Sequence, residues 1–253
     1  MSGVVTRFAP APTGYLHLGH VRSARYVWNF AREHGGRVLL RIEDHDRQRS
    51  KPAFEAAILE DLAWLGFVPD QIVPRQSERD PIYRNIVNSL IARGLVYGCT
   101  CTRADVSGAP YGSTCRDRGI QLSDSVNWRV RLDPGVETFD DLLCGPQSQD
   151  PAAQCGDLMI RDRLANWTYQ WAATIDDYLQ GVTHVIRGED LLDSTGRQIR
   201  LARLAGRATP PAFLHHPLVM KSSGQKLSKS DGDTGIRELR RQGLTADAVM
   251  RLC

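Results

Sequence analysis

Tyr15-Leu16-His17-Leu18-Gly19-His20 and Lys226-Leu227-Ser228-Lys229-Ser230 stand at opposite ends of an alternating strand and helix pattern. Two histidines three apart around a glycine, opening a helix, present two imidazoles to a triphosphate. A short loop with two lysines closes on the same phosphates. Either motif alone is weak. In this order, and at these two ends, they demand a fold that returns its last strand to the crevice where its first helix begins. They also point to ATP and an adenylate made from a carboxylic acid.

The pattern between them supplies such a fold. Val4 to Phe8 is β-prone and is broken by Pro10, Pro12 and Gly14. A helical pattern from Leu18 to His34 stops at Gly35-Gly36, and Arg37 to Ile42 reads as a buried strand ending at Glu43-Asp44. Pro52 and Pro81 open two further helices, with Phe54, Ile58, Leu62 and Leu65, then Ile82, Ile86, Leu90 and Ile91, on their apolar faces. This is the beginning of an α/β, Rossmann-type doubly wound parallel sheet. From Gly98 to Gly156 the chain turns rich in Cys, Gly, Ser, Asp and Pro, with only Val126 to Leu132 strand-like, and reads as a small inserted domain. A helix near Tyr169 to Tyr178, a strand from Val182 to Arg187, a helix through Gln198 to Leu204 and a strand within Ala212 to Met220 restore the alternation. The expected division is therefore 1–97, first half of the core; 98–156, the insertion; and 157–253, second half of the core with the lysine loop.

Composition narrows the function classes. With 42% hydrophobic and 24% charged residues in 253, the chain has material for a sizeable core. No apolar run approaches the roughly 18 residues of a membrane span, and the amino terminus has no signal core, so a cytoplasmic protein is expected. A net charge of +3 permits a nucleic-acid partner without requiring one. Lys51, Lys221, Lys226 and Lys229 are the only lysines among many arginines, and three of these four fall within nine residues. Where arginine replaces lysine elsewhere, the retained lysines imply a need for a compact point charge. Six cysteines, unevenly placed, suggest metal binding rather than disulfides in a reducing compartment. Cys99, Cys101 and Cys115 cluster; the fourth ligand stays open among Cys144, Cys155 and a histidine, beside the plainer reading of free thiols.

The helix opening near Leu18 offers N–H groups and a positive dipole end to phosphate, and Gly14 allows close backbone approach. His17 and His20 are expected to donate to the phosphates as pyrophosphate leaves. At this point the chain resembles a known family. Arg7-Phe8-Ala9-Pro10-Ala11-Pro12-Thr13-Gly14 running into the histidine motif, Arg41-Ile42-Glu43-Asp44-His45-Asp46, Val185-Ile186-Arg187-Gly188-Glu189-Asp190 and the lysine loop are similar to the signatures of class I glutamyl-tRNA synthetases. The resemblance implies a Rossmann core, ATP with Mg²⁺, and glutamate activated as its adenylate. It makes His17, His20, Lys226 and Lys229 the catalytic set, and adds Gly19 and Ser228 to the ATP contacts. Leu18 and Leu227 stand where Ile and Met are frequent, conservative apolar exchanges.

Under that resemblance Glu43 suits the α-ammonium of L-glutamate, and Arg187 a bidentate grip on the γ-carboxylate with the Tyr169 hydroxyl beside it. Arg7, Phe8, Ala9, Pro10 and Ala11 line the remaining amino-acid contacts. Ala11 replaces a frequent serine and so loses a hydroxyl. Glutamine would leave the Arg187 cation buried without an anion. The short paralogues that glutamylate queuosine in the anticodon of tRNA(Asp) carry a Cys-x-Cys…Tyr-x-x-x-Cys zinc site, which Cys99, Cys101, Tyr111 and Cys115 match. Only 23 residues follow Ser230, whereas an anticodon-binding domain needs on the order of 100. The expectation is thus such a paralogue, without that domain and acting as a monomer with Zn²⁺. The alternatives are a truncated glutamyl-tRNA synthetase charging tRNA(Glu), a non-catalytic tRNA-binding paralogue, and, more distantly, a nucleotidyltransferase.

Overall fold

The computed structural model describes residues 3–102, 104–106, 110–220 and 235–253. Strand β1 (Val5–Phe8) pairs in parallel with β2 (Arg37–Leu40), which pairs in parallel with the short β3 (Gln71–Ile72). Helix α1 (Leu18–Glu33) makes the first crossover, and its buried Val21, Ala24, Val27 and Ala31 recur at helical spacing. Gly36 ends that crossover for a steric reason: a Cβ there would lie 2.7 Å from the Val4 side chain. Helices α2 (Pro52–Trp64) and α3 (Asp80–Ala92) follow, each with proline in its first turn as the sequence predicts.

The chain then leaves this sheet. Strands β4 (Val96–Cys99), β5 (Asn127–Val130) and β8 (Leu158–Arg161) form a separate antiparallel sheet. Between β5 and β8, β6 (Glu137–Asp141) and β7 (Gly145–Gln149) make a hairpin, closed by the short helix α4 (Pro151–Cys155). The hairpin does not join the antiparallel sheet. It adds to the edge of β10 (Ala212–His216) through a parallel pairing of Asp141 with Phe213. The segment 98–156 therefore serves two sheets, and the hairpin extends the sheet of β10 rather than forming a detached unit.

Helix α5 (Tyr169–Leu179) leads to β9 (His184–Gly188), and α6 (Thr195–Leu204) to β10, which pairs in parallel with β9. β9 is brought beside β1 where the Thr183 N–H donates to the Val5 carbonyl at 2.8 Å and the Thr183 hydroxyl accepts from Val5 N–H. The first strand and β9 so meet at the centre of an α/β assembly with crossover helices, and β10 lies on the far side of β9. Helices α7 (Ile236–Arg241) and α8 (Ala246–Arg251) close the described chain. Ile236 is fully buried, and its N–H donates to the Leu16 carbonyl at 2.9 Å, pinning the segment after residue 234 beside the histidine motif. Among the described residues no helix is long and apolar enough to cross a membrane.

Candidate active site

His17 is the N-cap of α1. Its Nδ1 accepts from Gly19 N–H at 3.1 Å, while His20 Nδ1 accepts from His17 N–H at 3.1 Å. Each imidazole thus satisfies a backbone donor of the first turn, a reciprocal cap made by two histidines. The sequence expectation that these amides face phosphate needs correcting here. Two of them are spent on imidazole nitrogens, and the positive end of the helix reaches a ligand through the rings. Because Nδ1 accepts in both, the proton of a neutral ring sits on Nε2, making Nε2–H the donor. The rings lie 3.9 Å apart between centroids. The placement of the His17 ring requires Gly19: a Cβ there would stand 2.9 Å from His17 Cε1.

Beside the motif opens a cavity of about 320 Å³, within the range of small-molecule sites. Its lining joins Arg7, Phe8, Ala9 and Pro10 at the end of β1, the histidines, Glu43 beyond β2, Tyr169 at the start of α5 and Arg187 in β9. Ala11 is not among the lining residues; its carbonyl accepts from Thr13 N–H. Lys226, Ser228 and Lys229 lie outside the described residues.

A buried charge network holds these walls. Asp177 of α5 accepts from Arg7 Nε at 3.1 Å and from Arg41 Nη1 at 2.8 Å. Burial opposes its ionisation, but the two guanidiniums hold its carboxyl below the usual range. Arg41, wholly buried, also donates to Glu43 Oε1 at 2.8 Å. Asp176, next along the helix, accepts from Arg79 Nε, Tyr83 Oη and Gln76 Nε2. Removing one member of such a buried pair typically costs about 3–5 kcal/mol, because the other charge is stranded.

Arg187 is held differently. Its Nε–H donates to His215 Nε2 at 3.0 Å, Nη1 to Gln198 Oε1 at 2.6 Å, and Nη2 to Thr195 Oγ1 at 2.8 Å and the Leu191 carbonyl at 3.4 Å. No carboxylate touches it among the described residues. Burial, aided by the nearby Arg7 charge, pulls it below the ordinary guanidinium value although Tyr169 and Asp177 pull the other way. A buried cation with neutral partners, in the wall of a cavity, is a place for a ligand's anion. The expected two-pronged grip is reduced in this arrangement, since most of the fork is already committed to protein acceptors.

Sequence reasoning missed several cavity walls: Ser23, Asp190, Leu191, His216, Leu218 and Val219. Asp190 lies within a quoted motif and carried that signal; His216 ends β10 and Leu218 follows it, and no pattern reveals that strand's register.

In the antiparallel sheet, the sulfurs of Cys99, Cys101 and Cys115 lie within 4.8 Å of one another. The Tyr111 hydroxyl joins them, 3.5 Å from Cys99 Sγ, and accepts from Cys115 N–H at 2.8 Å. Arg129 supplies positive charge, donating to Cys99 Sγ at 3.3 Å with its guanidinium 3.7 Å from the Tyr111 ring centre. The donor set fits one tetrahedral cation, whose sulfur ligands stand at about 2.3 Å from zinc and so about 3.8 Å from each other. Tyr111 reaches the cluster because its backbone runs against Gly156, where a Cβ would lie 2.0 Å from the Tyr111 carbonyl oxygen.

Parallel strands, with β1 and β9 side by side below a histidine-capped helix and next to an anion-seeking pocket, define a class I nucleotide-activating synthetase core. Residues 3–109 and 117–253 match the family model for the catalytic domain of class I tRNA synthetases of the E and Q type, and the chain belongs to that family. It is 43% identical to the glutamyl-Q tRNA(Asp) synthetase of Burkholderia cenocepacia over 91% of this chain and 81% of that one. To the protein of the same name from Rhodobacter capsulatus it is 38% identical over 98% and 99%. Among solved structures, a glutamate tRNA ligase from Elizabethkingia meningosepticum in complex with its amino acid is similar, with a TM-score of 0.79 and 33% identity over 92% of this chain. The chain spans 53% of that ligase, about half its length.

Proposed function

We propose that this chain condenses L-glutamate with Mg²⁺–ATP to glutamyl-adenylate and passes the glutamyl group to a hydroxyl of queuosine in the anticodon of tRNA(Asp). The observation that carries the reading is Arg187, a buried cation that touches no carboxylate among the described residues, lining the same cavity as Glu43 and the two histidines. In this reading Glu43 takes the α-ammonium, Arg187 and the Tyr169 hydroxyl the γ-carboxylate, and the Arg7 end of β1 the α-carboxylate. An α-carboxylate oxygen attacks the α-phosphorus, and the bond to the β-phosphate breaks with its electron pair leaving on pyrophosphate. The Nε2–H donors of His17 and His20, with Lys226 and Lys229, balance the phosphate charge. The queuosine hydroxyl then attacks the acyl carbon and AMP departs, so no covalent enzyme intermediate is needed. Cys99, Cys101, Tyr111 and Cys115 would hold a zinc ion, which cross-links the loop after β4 and takes no part in the chemistry. The relatives carrying the queuosine name match over most of their own length, which favours this acceptor over tRNA(Glu). The reading places the protein in the cytoplasm as a monomer.

The test is ATP–pyrophosphate exchange that depends on glutamate and proceeds without tRNA, followed by labelled glutamate offered to queuosine-containing tRNA(Asp) and separately to tRNA(Glu). Label on tRNA(Glu) alone, or exchange that appears only with tRNA present, overturns the proposal.

A further inference from the structure

Behind Arg187 stands a second layer that neither motif reaches. His215 of β10 is fully buried, and its Nε2 receives the Arg187 Nε–H. On the other side, His215 Nδ1 lies 2.6 Å from Asp141 Oδ2. An imidazole that accepts at Nε2 must carry its proton on Nδ1, so it donates to Asp141. Burial and the Arg187 charge push His215 down to about 4 against the pull of Asp141, and the ring is neutral at physiological pH. Asp141 is fixed in turn. Its Oδ1 accepts from the N–H groups of Cys144 at 2.8 Å, Leu143 at 3.0 Å and His215 at 3.3 Å. All these bonds are set by the β6–β7 hairpin docking on β10.

We infer that Asp141 and His215 are positioning residues for substrate selection: Asp141 fixes the His215 tautomer, and the tautomer sets Arg187 to receive a carboxylate. This rests on the glutamate reading of the cavity. A carboxylate placed directly on Arg187 would neutralise it and remove the call for an anionic ligand. A neutral acceptor orients the fork and leaves its charge to the substrate. The Asp141 charge is kept one ring away, where it selects a proton position instead of competing for the site.

The decisive variant is Asp141→Asn. The three backbone N–H groups retain the amide oxygen, so the NH₂ group faces His215 Nδ1. Nδ1 must then accept, the proton moves to Nε2, and two donors oppose each other between His215 and Arg187. Losing a hydrogen bond to a charged group predicts a rise in the glutamate KM of about 10- to 100-fold with the ATP KM little changed, and the two opposed buried donors lower the melting temperature. Nitrogen-15 NMR of the ring should show Nδ1–H in the parent and Nε2–H in the variant. His215→Gln, whose amide oxygen can accept from Arg187, should recover part of the glutamate affinity relative to His215→Ala. An unchanged glutamate KM in a folded Asp141→Asn protein, or Nε2–H in the parent, overturns the inference. Parent protein that shows the Nδ1–H signal but no glutamate-dependent exchange refutes the substrate reading and leaves the tautomer assignment standing.

Discussion

Gly156 gives the sharpest mutational forecast for the cysteine cluster. Its φ of +64° with ψ of −155° lies in a region that is essentially glycine-only, where a side chain costs about 1–3 kcal/mol. The larger effect is steric. An added Cβ would be 2.0 Å from the Tyr111 carbonyl oxygen and 2.8 Å from its carbonyl carbon. Ordinary contact between such atoms is roughly 3.3 Å, so Tyr111 and the backbone at Gly156 must part by about 1 Å. Metal–ligand distances tolerate only about ±0.2 Å. Gly156→Ala should therefore pull the Tyr111 hydroxyl from a bound cation while leaving the three thiols in place. Measured on purified protein, zinc stoichiometry in the presence of a competing chelator should fall well below one, with melting several degrees lower. Tyr111→Phe should weaken zinc retention alone. A Gly156→Ala protein that keeps one zinc ion as tightly as the parent, at the same melting temperature, would refute the reasoning that this backbone contact places the fourth ligand.

Three further outcomes are expected. Gly19→Ala drives a methyl against the His17 ring and breaks the Gly19 N–H bond to Nδ1; the lost cap should cost about 0.5–2 kcal/mol in a thermal melt, and the ATP KM should rise. Arg187→Gln removes the guanidinium that meets the γ-carboxylate in the glutamate reading, so kcat/KM for glutamate in pyrophosphate exchange should drop at least about 100-fold. A loss under tenfold would remove Arg187 from that role. Asp61, buried in α2 with neither carboxylate oxygen hydrogen-bonded, is lifted by burial to about 6, against the pull of Arg237. A carboxyl raised in the folded state destabilises above that value, and the penalty fades as pH falls from about 6 toward its unfolded value near 4. Asp61→Asn should therefore raise the melting temperature at pH 8 and leave it nearly unchanged at pH 4.

What the sequence made legible was chemistry with unusual residue types. The pair His17–His20, Glu43 at a strand end, Arg187 and the cysteine spacing all stand out, and the cavity gathers the first three groups. What stayed hidden depends on partners far along the chain. The β6–β7 hairpin has almost no apolar signal, since Gly145-Pro146-Gln147-Ser148 is polar and half exposed, as suits an edge. Its link to the site exists only because Asp141 falls opposite Phe213, a register that hydrophobic periodicity does not encode. The bond from Arg41 to Asp177 likewise joins two ordinary charged residues whose meeting is a tertiary fact. Helix α8 also stayed hidden, although Thr245, whose hydroxyl accepts from Ala248 N–H, caps it. It is short, and its apolar face is legible only against α1.

Helix α5 carries Tyr169 at its first turn and Asp177, which holds Arg7, eight residues later. At 1.5 Å per residue these positions stand about 12 Å apart on a single rigid element. In the glutamate reading, the hydroxyl meets one carboxylate and the guanidinium held by Asp177 meets the other, so the helix serves as a ruler for the substrate's length. Aspartate has the same charges but one methylene fewer, and should fail to span both contacts. Discrimination of about 10- to 200-fold against aspartate is the scale one methylene allows. One residue inserted into α5 between them would turn Asp177 about 100° around the helix relative to Tyr169, so Arg7 would lose its anchor and the substrate its gauge.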